Sequence, residues 1–513
     1  MSIQTKIAAL ILLLLISALA FGDAVESMIE LDYPTVAVGR DIVVYALITL
    51  HAPESVLDLK KERNNLNLAL VIDRSGSMEA AGKMSYAKEA AKILVDQLTS
   101  HDRLAVVEYD DQISVLYPSS PVESPRFIKE QIERLYPRGM TNLTGGMMEG
   151  VEQVLSFRNS EYLHRVILLS DGLANKGITE PYRIRDLVRD ARRQNVRITT
   201  LGLGADFNED LMQMIAENSG GNYYFIENPR QMVRIYKHEL DLMYATTACD
   251  VECIFTSDDA VNSLEVFGYP STTKGNQTII SMEDFYAGEN RSLLLRISFD
   301  RQSLGKVNLG AFQMSYKDLL KGTRQFFEKK LTVRVVEDEE QVAESRNDKV
   351  VAEALLFEAD KQHEASVRQV EAGQFAAAGA GIGRTASGLR EKNKALGNAQ
   401  IAKKIEALEM EQDEIKVAQE STQQQKLYVK NRKAALYSSQ KGNRGKYILQ
   451  SGDSGFDVEN LQRALVDKGF FTGDIDGEYS DDLTEAVKKF QASVNLEQDG
   501  IAGPKTLKAL DLY

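Results

Sequence analysis

Asp73-Arg74-Ser75-Gly76-Ser77 follows a continuous apolar run, Leu68-Ala69-Leu70-Val71-Ile72, so a carboxylate and two hydroxyls lie on the loop that leaves a strand. Asp171 holds the matching place after the run at 166–170, and Gly139-Met140-Thr141-Asn142 brings another hydroxyl to the start of a helix. Carboxylate, hydroxyl and water oxygens are what a small hard cation takes, octahedrally for Mg²⁺. Two carboxylates with three neutral hydroxyls leave such an ion electrophilic, able to accept an anionic ligand from outside. An Asp-x-Ser-x-Ser run alone is weak, because Asp and Ser crowd turns for local hydrogen-bonding reasons.

The oxygens act together only if three loops meet at one rim. Strand-like runs at 68–72, 104–109, 166–170, 196–203 and 222–226 alternate with helical spacing at 83–98, 125–135, 145–155, 181–194, 209–217 and 229–244. The alternation predicts a doubly wound α/β (Rossmann-like) domain, whose ligands sit beyond the carboxyl ends of the strands. On these residues the segment from 65 to about 245 resembles the von Willebrand factor A (vWA) family, whose metal-ion-dependent adhesion site reads Asp-x-Ser-x-Ser, then Thr, then Asp. The resemblance implies that Ser75, Ser77 and Thr141 ligate a divalent cation directly or nearly so, and that Asp73 and Asp171 do so directly or through water. It also implies an adhesive role in which a protein ligand supplies an Asp or Glu carboxylate, with Mg²⁺ foremost and Mn²⁺ or Ca²⁺ as alternatives. A shift of helix 229–244 on binding is part of the same implication.

A second pattern closes the chain. Asp476-Gly477-Glu478-Tyr479 and Asp499-Gly500-Ile501-Ala502 echo each other, each turning the chain ahead of a helix, and Pro504 suits a first helical turn. Residues 447–513 resemble the peptidoglycan-binding module of bacterial cell-wall proteins, a small three-helix domain. Ser480 and Leu483 replace the usual Gly and Thr after the first Asp-Gly, whereas Gly503 and Thr506 keep both after the second. The Asp-Gly pairs are read as turn builders, and no wall-contacting residue is singled out.

The remaining segments are read from their texture. Residues 1–22 have the form of a signal peptide, with Lys6 before an uncharged apolar run and Ala18-Leu19-Ala20 at a cleavage position. Residues 23–64 hold a strand that packs with a β-sandwich at 247–337, which follows the vWA-like segment at 65–246. Residues 338–437 read as a helical spacer, broken near Ala376-Ala377-Ala378-Gly379-Ala380-Gly381, and 438–446 as a flexible linker. Cys249 and Cys253 are structural on this reading, with a disulfide open to them only if the strand bulges between them.

A net charge of −14 over 513 residues, with no basic block, argues against a nucleic-acid groove. No second long apolar stretch predicts a membrane span in the mature chain. Enzyme chemistry finds no text, with no Gly-x-Ser-x-Gly elbow and His51, His101, His164, His238 and His363 scattered outside any His-Glu-x-x-His pattern. The expectation is an exported binding protein, periplasmic or wall-associated, that grips a protein ligand through the cation and peptidoglycan through its C-terminus. The alternatives are an envelope-assembly scaffold with a structural metal site, or an accessory subunit of a wall enzyme or a channel or secretion complex.

Overall fold

The computed structural model describes residues 24–53, 64–301, 303–440, 449–451, 456–510 and 512. The signal-peptide expectation at 1–22 and most of the expected linker lie outside them. The chain begins with β1 (Glu26–Leu31), β2 (Thr35–Ala37) and β3 (Gly39–His51), three strands where the β-branched run predicted one.

The α/β domain follows as β4 (Asn65–Asp73), α1 (Lys83–Gln97), β5 (Arg103–Tyr109), β6 (Ile113–Pro121), α2 (Pro125–Glu133), α3 (Leu143–Leu155) and β7 (Tyr162–Ser170). It continues through α4 (Pro181–Arg193), β8 (Val196–Leu203), α5 (Glu209–Ser219), β9 (Tyr223–Ile226) and α6 (Met232–Tyr244). The sheet order is β6-β5-β4-β7-β8-β9, parallel except for the edge strand β6, which the sequence reading did not include. Leu70 and Ile72 point to one face, packed by α1, α2 and α6, while Ala69 and Val71 point to the other, packed by α3, α4 and α5. From β4 the chain runs outward to β5 and β6, then crosses back to β7 on the other side. The β4–β7 neighbours therefore form the topological switch point, where open α/β sheets place ligands.

The next nine elements are β10 (Thr246–Ser257), β11 (Val261–Phe267), β12 (Ser271–Lys274), β13 (Gln277–Ile280), β14 (Phe285–Tyr286), β15 (Asn290–Arg301), β16 (Gly305–Asp318), β17 (Thr323–Val336) and the short α7 (Glu339–Glu344). One sheet runs β1-β3-β15-β11 and the other β12-β13-β10-β16-β17-β2, and Val44, Ile48, Phe255, Leu295 and Phe312 fill the core between them. At the amino ends of β7 and β8, Arg165 donates to Asp284 at 2.6 Å and Arg197 pairs with the same carboxylate at 3.3 Å, seating the sandwich opposite the β4–β7 rim. A register shift between Cys249 and Glu252 supplies a bulge, yet both cysteines are free and buried, and burial pushes each thiol up to about 12.

Four helices follow, α8 (Asp348–Glu371), α9 (Phe375–Leu396), α10 (Ala399–Ala418) and α11 (Thr422–Gln440). The Ala/Gly-rich stretch read as a break is the first half of α9, and the chain turns instead at Gly373 and Gly397, both at positive φ. Short turns stack the helices around Leu356, Ile382, Leu408 and Leu436. The result is a bundle packed onto the other domains. Val350, Ala354 and Phe357 of α8 bury against Leu47, Phe267 and Leu294 of the sandwich. From α11, Lys430 reaches Glu209 Oε2 at 2.5 Å, Lys433 reaches Asp210 at 2.8 Å, and Tyr437 packs edge-on to Tyr223.

The last domain holds α12 (Phe456–Asp467), α13 (Asp481–Ser493) and α14 (Pro504–Ala509) around Leu461, Leu483, Phe490 and Leu507. Its internal echo is a hydrogen-bond motif. Gln462 donates to Asp476 Oδ1 at 2.7 Å and accepts from Gly477 N at 2.9 Å, and Gln491 repeats this with Asp499 at 2.7 Å and Gly500 N at 3.0 Å. A buried glutamine on each preceding helix thus clamps the Asp-Gly turn.

Candidate metal centre

The carboxyl ends of β4 and β7 bring Asp73 and Asp171 to adjacent positions, both fully buried. Asp73 Oδ1 accepts from Ser75 N at 2.8 Å, folding the loop back over the strand end. Its Oδ2 accepts from Ser170 Oγ at 2.9 Å and from Tyr109 OH at 3.3 Å, so both oxygens of Asp73 are engaged from within. Asp171 Oδ1 accepts from Ser77 Oγ at 2.7 Å and faces Ser75 Oγ at 3.4 Å, and the two serine hydroxyls lie 3.1 Å apart. Thr141 Oγ1 and Ser77 Oγ lie 3.4 and 3.5 Å from where a Cβ on Gly172 would stand. All five residues singled out by sequence therefore meet at one place. Ser75 and Thr141 are buried, and Ser77 opens the cluster to solvent.

The loops are held by backbone and by a buried ion-pair brace. Arg138 N donates to Arg74 O at 2.7 Å and Gly76 N to Gly139 O at 3.2 Å, tying the serine loop to the loop that carries Thr141. Arg74 pairs with Glu108 at 2.9 Å and Asp110 at 3.1 Å, and Asp110 also binds Arg138 at 2.8 Å. Burial works against the Asp110 charge, but Gln112 N–H, Arg138 and Arg74 hold its carboxyl below the usual range. Gly139 has φ 71°, and a Cβ there would stand 2.3 Å from Asp111 Oδ1. The loop can approach this closely only with glycine. Asn175 accepts from Thr141 N at 2.9 Å, and Thr141 O accepts from Asn175 N and Lys176 N, both at 3.2 Å.

Electrostatically the cluster is short of positive charge. Burial, then the neighbouring Asp171 charge, push the Asp73 carboxyl up to about 6. Lys83 Nζ, at 2.7 Å from Asp171 Oδ2, is the cation that touches it. Three hydroxyls and two carboxylates, one strained toward neutrality, suit a hard divalent ion. Among the described residues, no three His, Cys, Asp or Glu side chains are arranged to hold a metal, so such an ion would depend on the hydroxyls.

Sequence reasoning missed Lys83, Tyr109, Ser170, Asp110 and Asn175. Lys83 could have been flagged, because a lysine opening a helix stands against the helix dipole. Ser170 directly precedes Asp171, and Tyr109 ends the strand beside β4. Asp110 and Asn175 sit in loops whose partners only the fold reveals.

Residues 67–238 match the von Willebrand factor type A domain model, and residues 454–510 match the model named "Putative peptidoglycan binding domain". The chain thus joins a vWA domain to a C-terminal peptidoglycan-binding domain. It is 28% identical over 242 residues to Uncharacterized protein YfbK of Escherichia coli, covering 46% of this chain and 42% of that protein. It is 27% identical over 267 residues to Uncharacterized protein sll0103 of Synechocystis, covering 50% of this chain and 63% of the relative. The chain therefore spans less than two thirds of either relative. A solved von Willebrand factor type A protein from Catenulispora acidiphila superposes with a TM-score of 0.60 at 19% identity, over 75% of this chain and 90% of that one. That likeness shows the fold, extending beyond the vWA segment.

Proposed function

We propose that the protein is an exported envelope protein that captures a partner protein's Asp or Glu carboxylate through a divalent cation held by Ser75, Ser77, Thr141, Asp171 and Asp73. The convergence of these five side chains at the β4–β7 switch point carries the reading. Bound there, a cation supplies a Lewis-acidic centre open to an outside carboxylate. The serine and threonine hydroxyls and Asp171 Oδ1 face that position. Asp73, with both oxygens engaged, orients the serine loop and would hold the ion directly or through water. Mg²⁺ is the foremost candidate, with Mn²⁺ and Ca²⁺ as alternatives. The C-terminal domain holds peptidoglycan, which puts the protein in the periplasm or at the wall. No described helix is long and apolar enough to cross a membrane. The role is binding rather than catalysis.

Calorimetric titration of the full chain with Mg²⁺ or Mn²⁺ tests the site. Binding that Asp171→Ala abolishes supports the reading, and equal heats from both proteins refute it. Purified sacculi should pellet the full chain but not a chain ending at Gln440; equal pelleting would remove the wall anchor. A partner recovered from envelope extract and released by EDTA would establish capture, whereas a partner that EDTA leaves bound would refute it.

A further inference from the structure

Asp171 uses its two oxygens for different ends. Oδ1 faces the serine hydroxyls, and Oδ2 accepts from Lys83 Nζ at 2.7 Å. Lys83 is the first residue of α1, after Gly82 in the left-handed region, and a positive charge there opposes the helix dipole. Helix stability does not explain a lysine at this position. Its side chain is 13% exposed. The loop after β8 walls it in, for a Cβ on Gly204 would stand 3.5 Å from Lys83 Cε and 3.6 Å from Nζ. Arg74, the basic residue inside the serine loop, is turned to Glu108 and Asp110. Lys83 is thus a fixed ammonium built against the one carboxylate that also faces the hydroxyls.

We propose that Lys83 is a specificity-determining residue that lowers the site's affinity for the cation and raises its affinity for an anion. The inference rests on the cation reading given above. Asp73 and Asp171 alone would cancel a divalent ion's charge. With Lys83 beside them the fixed charge is −1, so the loaded centre keeps a net +1. An outside carboxylate completes that balance, whereas a water or a neutral amide does not. The partner group selected is therefore an anion, and Lys83 ties partner capture to the loaded state. At a partly buried site an extra positive charge a few ångströms from a divalent ion weakens its binding on the order of ten- to a hundredfold.

The test compares the full-length protein with Lys83→Met and Lys83→Arg at neutral pH. Free Mn²⁺ is followed by electron paramagnetic resonance, and displacement of water from bound Mn²⁺ by acetate is followed by water-proton relaxation. Lys83→Met should bind Mn²⁺ about ten- to a hundredfold more tightly and need correspondingly more acetate for half-displacement. Lys83→Arg, which keeps the charge, should behave as wild type in both. Mn²⁺ affinity in Lys83→Met that is unchanged or weaker, with thermal melting showing a folded protein, overturns the proposal and leaves Lys83 a positioning residue for Asp171. If Lys83→Met binds Mn²⁺ and the wild type does not, Lys83 takes the cation's place rather than tuning its affinity, and the proposal is overturned. If neither binds, the cation reading itself fails.

Discussion

At the rim of the α/β sheet, Asp73 and Asp171 lie buried beside one lysine; in the helical bundle, Asp360, His363, Lys404, Glu411 and Arg432 lie buried beside one another. The bundle cluster closes on itself. Lys404 pairs with Asp360 at 2.8 Å and lies 3.2 Å from His363 Nδ1, and His363 Nε2 lies 2.8 Å from Glu411. Tyr428 donates to Glu411, Arg432 pairs with Glu414, and Ser439 donates to Asp360 at 2.9 Å. Positive and negative groups alternate across α8, α10 and α11. At the rim the ammonium of Lys83 pairs with Asp171 while Asp73 has only hydroxyl and amide partners, and the two serine hydroxyls face Asp171. The pKa shifts register the difference. Burial raises both kinds of carboxyl, but Asp73 ends at about 6 beside a like charge, whereas the His363 ring, Arg432 and Tyr428 bring Glu411 down to about 2. Buried charge with matched partners is architecture; buried charge in excess of its partners, beside converging hydroxyls, is the feature on which the proposed cation reading rests.

The largest effect should come from breaking the matched cluster. Lys404→Met strips the buried Asp360 carboxyl of its lysine counter-charge in the bundle core, and such a loss costs about 3–5 kcal/mol. Denaturant titration should show the unfolding free energy fall by that amount, with Mn²⁺ affinity at the rim unchanged. A loss below about 1 kcal/mol would mean that water reaches the cluster. Acid should open the same cluster next. Glu411 has a folded pKa of about 2 against an ordinary 4.5, so its contribution is fully present above pH 4.5 and fades as pH falls toward 2. That contribution is on the order of 3 kcal/mol. Glu411→Gln should remove this pH dependence, as read from stability curves across the acid range.

The rim was legible in sequence and the bundle cluster was not, for physical reasons. A cation site of this kind needs oxygens at strand ends, and strand ends follow from apolar runs, so Asp73, Ser75, Ser77, Thr141 and Asp171 could be placed together before any coordinates. The alternation of runs likewise gave the α/β sheet, save the edge strand β6, where Pro118 and Pro121 break the apolar pattern. His363 reads as an isolated residue on a helix; its partners are 41 and 48 residues away on α10, a distance only packing closes. The glycines of α9 misled for a related reason. Gly381 lies where a Cβ would stand 2.6 Å from Ser366 Oγ, so glycine leaves room for the serine between the packed helices, whereas helix propensity alone counts it as a breaker. Lys83 was overlooked although its place against the helix dipole is visible in sequence; that the dipole conflict is answered by Asp171 shows only once the loops fold together.

The smallest effect tests the comparison most directly, because it removes a buried charge from the unmatched cluster with the opposite outcome for stability. In Asp73→Asn the carbonyl oxygen can still accept from Ser75 N, and the amide nitrogen takes the place of Oδ2, where Ser170 Oγ can turn to accept. Tyr109 OH keeps its bond to Leu169 O at 2.8 Å. The hydrogen bonds survive and only the charge is lost. Because the folded pKa of Asp73 is raised from 3.8 to about 6, the folded state loses stability as pH rises through that interval, and asparagine is exempt. In EDTA at neutral pH, Asp73→Asn should therefore be as stable as wild type or up to about 3 kcal/mol more stable, the gain vanishing below about pH 4. With Mn²⁺ at a hundred times its Kd the difference shifts toward wild type, which gains about 2.7 kcal/mol from binding while the variant, with its affinity lowered, gains less. Thermal melts with and without the ion read both arms. A variant destabilised in EDTA as Lys404→Met is would show that Asp73 is paired architecture after all, and that the rim and the bundle follow one rule.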